Sequence, residues 1–322
     1  MDSPKTLQEA IEHFSDYDNC RRFMASIRWL DGIVRCPTCN SDKVIYLDKA
    51  RVYKCNGNHP RQKFSLKIGT VFEDSAIPLQ KWLPALWLMV SCKNGVSSYE
   101  IHRALGVTQK SAWFMLQRIR LAMQSKSFVK LGDSGGTVEI DETFVGGKVA
   151  NMHKANKARY ARGGTRGKTI VMGMLDRDLR EVRAHVIPNV QRETLQNEVL
   201  NEVQHGSKIH TDEYAGYDHL RKEFVHDVVN HVEEYVNGQV HTNGIENFWS
   251  LLKRTLKGTY VAVEPFHLQR YVDEQMFRFN NRATKDNPLN DSDRFVLALS
   301  QIVGKRLTYA QVTGKVGETA SF

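Results

Sequence analysis

The sequence predicts an α/β domain, a mixed five-stranded sheet with flanking helices, behind two small N-terminal modules: a metal-stapled β ribbon and a helical hairpin. Three observations carry that expectation. Three cysteines and a histidine fall in two closely spaced pairs before residue 60. Apolar residues recur at helical spacing between 81 and 124, and from 137 onward short β-branched runs alternate with helical stretches. At roughly 150 residues per domain, 322 residues make about two domains with room for a small extra module. A chain with 41% hydrophobic and 25% charged residues is neither disordered nor fibrous.

Five cysteines in a reduced compartment call for a metal before a disulfide. Cys36-Pro-Thr-Cys39 and Cys55-Asn-Gly-Asn-His59 read as C-x2-C-x15-C-x3-H. Each half forms a tight knuckle whose ligands converge on one tetrahedral zinc ion, so Cys36, Cys39, Cys55 and His59 are the expected ligands. The interval supplies a hairpin, Lys43-Val-Ile-Tyr46 and Arg51-Val-Tyr-Lys54, with a third strand near Phe64. Such a closed site is structural and does no chemistry. Cys20 and Cys92 have apolar neighbours and read as core thiols.

The helical stretch begins with Trp82, Leu83, Leu86 and Val90 on one stripe. Ser97 or Ser98 can cap a next helix, Gly106 turns the chain, and Thr108 can cap another. Two helices joined by so short a turn have the shape of a helix-turn-helix, which would offer Gln109, Lys110 and Trp113 to DNA. A plain helical hairpin is the alternative. The segment 125–136 breaks both periodicities and reads as a linker.

Beyond it, Thr137-Val-Glu-Ile-Asp-Glu-Thr-Phe144 alternates like a strand, and runs at 169–175 and 182–187 complete an antiparallel meander. A helix with Leu195, Val199 and Val203 on one stripe, a strand ending at Asp212, a helical turn region around Tyr214 to Leu220, a strand near 227–230 and a helix over 243–257 follow. That order is the ribonuclease-H-like one. Asp141 lies on the first strand, Asp212 ends the fourth, and Glu246 lies one turn into the last helix. Three carboxylates so placed can hold two Mg2+ (or Mn2+) ions about 3.5–4 Å apart for in-line displacement at phosphate. Glu139 shares a strand face with Asp141, while Glu142 points the other way. Asn243, Glu246 and Lys253 share one helical face, where Lys253 could reach a phosphate; Trp249 between them reads as core rather than base-stacking.

The net charge is +9, 45 Lys and Arg against 36 Asp and Glu, which favours a polyanionic partner. Much of the excess sits in one stretch, from 143 to 175, which holds no Asp or Glu and carries Lys148, Lys154, Lys157, Arg159, Arg162, Arg166 and Lys168 among glycines. Beside a phosphoryl-transfer site such a loop points to phosphate contact. No G-x-x-x-x-G-K-[ST] occurs, so ATP is not expected. The longest apolar stretch, 82–90, is far short of the ~20 residues of a membrane span, and no export signal is visible, so a cytoplasmic, nucleoid-associated protein is expected.

These motifs together resemble the zinc-ribbon DDE transposases of bacterial insertion sequences, the insertion sequence 1595 family. The likeness runs through the cysteine pairs, Lys67-Ile-Gly-Thr-Val-Phe-Glu-Asp-Ser75, Glu139-Ile-Asp-Glu-Thr143, His210-Thr-Asp-Glu-Tyr214, His241-Thr-Asn-Gly-Ile-Glu-Asn-Phe-Trp-Ser-Leu-Leu-Lys-Arg254 and Arg278-Phe-Asn-Asn-Arg282. The resemblance implies an enzyme that binds terminal inverted repeats in double-stranded DNA, nicks there and joins 3′ ends to target DNA. It makes Asp141 and Asp212 the first two acids and Lys253 the lysine after the third, with Lys253 and Arg254 near DNA. The third position is Asn or Glu in the family; Glu246 is the choice over Asn243, because a carboxylate suits a hard cation better than an amide. Synapsis of two ends implies a homodimer or higher oligomer. A nuclease without end joining, or a non-catalytic DNA-binding regulator descended from a transposase, are the alternatives. The expected division is 1–78 for an N-terminal helical segment and ribbon, 79–124 for the helical module, 137–284 for the catalytic domain and 285–322 for an extension whose stretch 295–302 packs on that domain.

Overall fold

The computed structural model describes residues 3–124, 129–146, 167–212, 216–217, 220, 223–229, 241–285 and 287–314. The chain divides into two compact units, residues 1–125 with 281–322, and residues 126–280.

The first unit opens with α1 (Leu7–Ser15) and α2 (Tyr17–Arg28), capped by the side chains of Thr6 and Asp16. An antiparallel ribbon follows, β1 (Val44–Leu47), β2 (Val52–Cys55) and β3 (Lys63–Phe64), in the order β1-β2-β3. Then α3 (Leu79–Ser91) runs through the middle of the unit with Pro84 inside it, and nine of its side chains are buried. A helix apolar all round has no solvent face and must be enclosed by its neighbours. The enclosure comes from α1, α2, α4 (Ser98–Leu105) and α5 (Gln109–Met123), and also from far along the chain. Phe295 packs against Phe14, Phe23 and Trp87, with ring centroids 5.2–5.8 Å apart. The stretch 295–302, expected on the catalytic domain, thus belongs to the first unit. A fully buried phenylalanine contributes about 2–3 kcal/mol, and here it finds its apolar partners on the N-terminal helices.

The second unit is built on one five-stranded sheet. Its strands are β4 (Thr137–Val145), β5 (Thr169–Asp176), β6 (Glu181–Ile187), β7 (Lys208–Asp212) and β8 (Val225–Val229), in the order β6-β5-β4-β7-β8. Pairing is antiparallel among β4, β5 and β6, and parallel across β4, β7 and β8. Alternation along β4 sends Val138 and Ile140 to one face, where they pack with Leu195 and Val199 of α6 (Arg192–Glu202). The other face holds Val171, Leu175 and Ala184 under α7 (Asn243–Thr255), with Ile245, Phe248, Trp249 and Leu252, and under α8 (Leu268–Asn280). A mixed five-stranded sheet covered by helices on both faces fits the ribonuclease-H-like expectation. The last predicted helix is shorter than the expected 243–257; after Thr255 its backbone widens into a π turn, Leu256–Tyr260. Among the described residues, no helix is long and apolar enough to cross a membrane.

Candidate metal centre and candidate active site

The four expected zinc ligands meet. Cys36 Sγ lies 3.4 Å from His59 Nε2 and Cys39 Sγ lies 3.6 Å from Cys55 Sγ, with all four ligand atoms within 4.8 Å of one another. A tetrahedral ion with Zn–S near 2.3 Å and Zn–N near 2.0–2.1 Å makes S···S and S···N edges of roughly 3.8 and 3.6 Å, so the donor set fits zinc. The knuckles are shaped by main-chain donors: Thr38 N–H points at Cys36 Sγ and Gly57 N–H at Cys55 Sγ. A side chain at position 57 would crowd both Cys39 Sγ and Cys55 Sγ at 3.2 Å.

Along α4 and α5 the caps are explicit. Ser97 forms a capping box with Glu100, Gly106 turns in the left-handed region at φ 60°, and Thr108 caps α5 at Ser111 N. Gln109 reaches back to Ser98 Oγ at 2.8 Å, and the exposed Lys110 lies over the Tyr309 ring at 4.9 Å.

The acids of the second unit are organised by strand register. On the parallel pair β4–β7, Glu139 stands opposite His210, and the ladder ends there. Two residues further on each strand stand Asp141 and Asp212, so the strands part where the two carboxylates arrive level. An open sheet binds its ligands in a crevice at the carboxyl ends of its strands. Above it, the first turn of α7 carries Asn243 and Glu246, both exposed, with Thr242 Oγ1 donating to Glu246 Oε1 at 3.2 Å. Burial first, with the charges of Asp212 and Glu246 adding to it, pushes the Asp141 carboxyl up to about 6 against hydrogen bonds from Glu142 N–H and Trp249. Carboxylates whose repulsion raises a neighbour's proton affinity are what a bound cation relieves. Among the described residues, the carboxylate oxygens of these three acids do not gather within 4.8 Å as the zinc ligands do. Two ions need a wider set of donors than one.

The remaining acids divide by face. Glu142 points away from α7 and accepts a hydrogen bond from Tyr217 Oη; burial first, then Asp141 and Asp212, push its carboxyl up to about 8. Glu139 faces α7 and is 1% exposed. It takes Arg177 Nε at 2.6 Å and Ile245 N–H at 2.9 Å, so it joins helix to sheet. Trp249 is buried, and its indole Nε1 donates to Asp141 Oδ2 at 2.9 Å. The sequence places Trp249 in the core and carries no signal for that hydrogen bond; Gly173, facing Asp141 on β5, leaves room for the ring.

Lys253 and Arg254 are exposed on the last turns of α7. Lys168 begins the chain's return into β5, while Lys148, Lys154, Lys157, Arg159, Arg162 and Arg166 lie outside the described residues. Gly146 and Gly167 bracket that basic segment, and a side chain at 146 would meet Lys168 Cα at 3.2 Å, so its two ends lie side by side.

Comparison with known proteins places these features in a family. Residues 134–280 match the ISXO2-like transposase domain and residues 15–57 the transposase zinc-ribbon domain. The chain is 36% identical over 101 residues to an uncharacterized transposase-like protein of Haemophilus influenzae, covering 31% of this chain and 81% of that protein. The chain belongs to the ISXO2-like transposase family. It is also 29% identical over 261 residues to an uncharacterized protein in transposable element ISH50 of Halobacterium salinarum, covering 76% of this chain and 85% of that protein. A solved simian T-cell lymphotropic virus intasome in complex with PP2A regulatory subunit B56 gamma is similar over 65% of this chain and 70% of that one, at 13% identity and a TM-score of 0.31, too slight a likeness to bear on the fold. The transposase-domain match takes in Asp141, Asp212, Asn243, Glu246 and Lys253. The ribbon match takes in Cys36, Cys39 and Cys55 and stops before His59, which the structure brings to the same cluster.

Proposed function

We propose that this member of the transposase family is a metal-dependent polynucleotidyl transferase that cuts DNA at the ends of its element and joins them to a target. The observation that carries the reading is the register that sets Asp141 and Asp212 level on adjacent parallel strands, with Glu246 on the helix above the same face. Asp141, Asp212 and Glu246 would hold two Mg2+ or Mn2+ ions, which supply Lewis-acid stabilisation of the attacking and leaving oxygens. In cutting, a water oxygen bonds to phosphorus as the bond to the 3′ oxygen breaks, leaving a 3′ hydroxyl. In joining, that hydroxyl attacks a target phosphodiester and the target's own 3′ oxygen leaves with a proton.

The chain's own groups do the binding. Lys253 and Arg254, exposed beyond Glu246 on α7, and Lys168 at the foot of the basic segment neutralise phosphates. That segment, Lys148 to Arg166, adds six further cations in sequence. Gln109 and Lys110 at the start of α5 contact the element's terminal repeats, in the position a recognition helix uses. Duplex DNA is the partner, and pairing of two ends calls for at least a dimer on DNA.

Strand transfer between labelled terminal-repeat DNA and a plasmid target tests the reading. Asp141→Asn and Asp212→Asn should each bind the repeat DNA normally yet yield no joined product. Full joining by either variant rejects the site, and cutting without joining by the wild type would make the protein a nuclease.

A further inference from the structure

Gly173 raises a question that its backbone does not answer. It sits mid-strand on β5, directly opposite Asp141 in the antiparallel ladder, and its φ is not in the left-handed region. Glycine weakens a strand interior unless another group must come close. Here that group is the Trp249 ring: a Cβ at 173 would stand 2.5 Å from Trp249 Cη2, 2.6 Å from Cζ2 and 2.9 Å from Ile245 Cδ1. The bare backbone of one strand is thus a slot for an indole from α7, and the slot aims the indole N–H at the acid on the next strand.

The Asp141 carboxylate is held at both ends. Oδ2 accepts Trp249 Nε1 at 2.9 Å and Oδ1 accepts the main-chain N–H of Glu142 at 2.8 Å. Each carboxylate oxygen has two acceptor sites, so one on each remains for another partner once these donors are in place. The ring that donates is 4% exposed and locked between Phe248 and the sheet. A buried Trp N–H needs an acceptor, and a phenylalanine would fill the slot without one. The same helix carries Glu246 one turn before Trp249, so a single rigid element sets one acid and orients another.

We infer that Trp249 is a positioning residue for Asp141, its indole N–H fixing the carboxylate orientation in which the remaining oxygen sites face a divalent cation, and that Gly173 is there to seat the ring. This rests on the proposed role of Asp141 in holding that cation. Hydrogen bonds to ligating groups orient them, and their loss typically costs roughly 10- to 100-fold in metal affinity.

Mn2+ binding to the full-length protein without DNA, followed by water-proton relaxation, tests this together with metal-free melting, zinc content and affinity for terminal-repeat DNA. Trp249→Phe should weaken Mn2+ binding by about 10-fold or more while zinc content and DNA affinity stay at wild-type values. Gly173→Ala, which keeps the N–H but displaces the ring, should weaken Mn2+ binding in the same way, and decides the matter if Trp249→Phe does not fold. Asp141→Asn serves as the reference. If it binds Mn2+ like the wild type, the metal-holding role of Asp141 fails and the positioning role with it. If it loses Mn2+ while a folded Trp249→Phe, or Gly173→Ala in its place, binds normally, the positioning role alone is overturned.

Discussion

Glu139 Oε2 accepts the main-chain N–H of Ile245 at 2.9 Å, so a carboxylate on β4 caps the helix that begins at Asn243. The first N–H groups of a helix have no partner of their own, and a negative charge there is also favoured by the helix dipole. The other oxygen is paired with Arg177, which also bonds the main-chain oxygen of His241. Glu139→Ala takes the carboxylate partner from Arg177 and the cap from the helix end together. It should lower stability by roughly 3–5 kcal/mol, the cost of breaking a buried ion pair from one side, as read from urea unfolding, and leave zinc content unchanged.

Gly244→Ala tests the same junction from the helix. Alanine favours a helix over glycine by up to about 1 kcal/mol. A Cβ there, however, would stand 2.3 Å from Leu175 Cδ2 and 2.9 Å from Glu139 Oε2, both fixed in the packed interior. Overpacking costs about 1–3 kcal/mol, so the variant should melt below the wild type. A higher melting temperature would mean that α7 can lift off the sheet freely.

For the third acid, Glu246→Gln should abolish cutting of terminal-repeat DNA, while Asn243→Ala should only slow it. Both side chains occupy the first turn of α7, but the charge of Glu246 is among those that raise the Asp141 carboxyl. Single-turnover cleavage with Mg2+ ranks the two variants, and the reverse ranking would make Asn243 the ligand.

The ribbon should hold one zinc per chain, counted by atomic absorption, and Cys36→Ser should lose it. Within a three-stranded ribbon of so few residues, metal binding is folding energy. Proteolysis should then cut first inside the ribbon, between about 36 and 64, and an unchanged zinc content in the variant would sink the site.

Acid stability has a separate source in Glu202 at the end of α6. The His185 imidazole first, then Arg183, hold its carboxyl down to about 2, from an ordinary 4.5. Arg183 Nη1 lies 2.9 Å from Oε2 and His185 Nε2 3.5 Å from Oε1. A depressed carboxylate stabilises the fold fully above its unfolded value and loses that stabilisation as pH falls through its folded value. The window is therefore pH 4.5 down to about 2. His185 is raised by the same carboxylate, so its share is present below its unfolded pKa and is lost as pH rises through the folded one. Glu202→Gln should cost about 2 kcal/mol near pH 6, less at pH 9, and flatten the acid limb of urea unfolding measured across that range.

Much of the architecture was legible because it rests on local signals. Cysteine spacing marked the ribbon, alternation marked β4, and the caps at Ser97, Gly106 and Thr108 marked α4 and α5. Asp141, Asp212 and Glu246 could be placed on their strands and helix from the sequence, since strand period and helix period are carried by neighbouring residues. Glu139 and Asp141 were legible as sharing a face for the same reason. What each does on that face was not: one became the cap of a helix 106 positions away and the other the acceptor of an indole 108 positions away.

The sequence by itself determined most of the elements, the Cys3His cluster and the family, because spacing along the chain is enough to state them. Tertiary structure alone decided the rest. It sent Phe295 to Phe14, Phe23 and Trp87, since an apolar stripe specifies that it must be buried but not by which partner. It gave Gly173 and Gly244 their reasons, because a missing side chain is explained only by the atoms that occupy its place. And it turned Trp249 from a core residue into the donor that holds Asp141, since a hydrogen bond depends on an approach of about 3 Å that no sequence interval records.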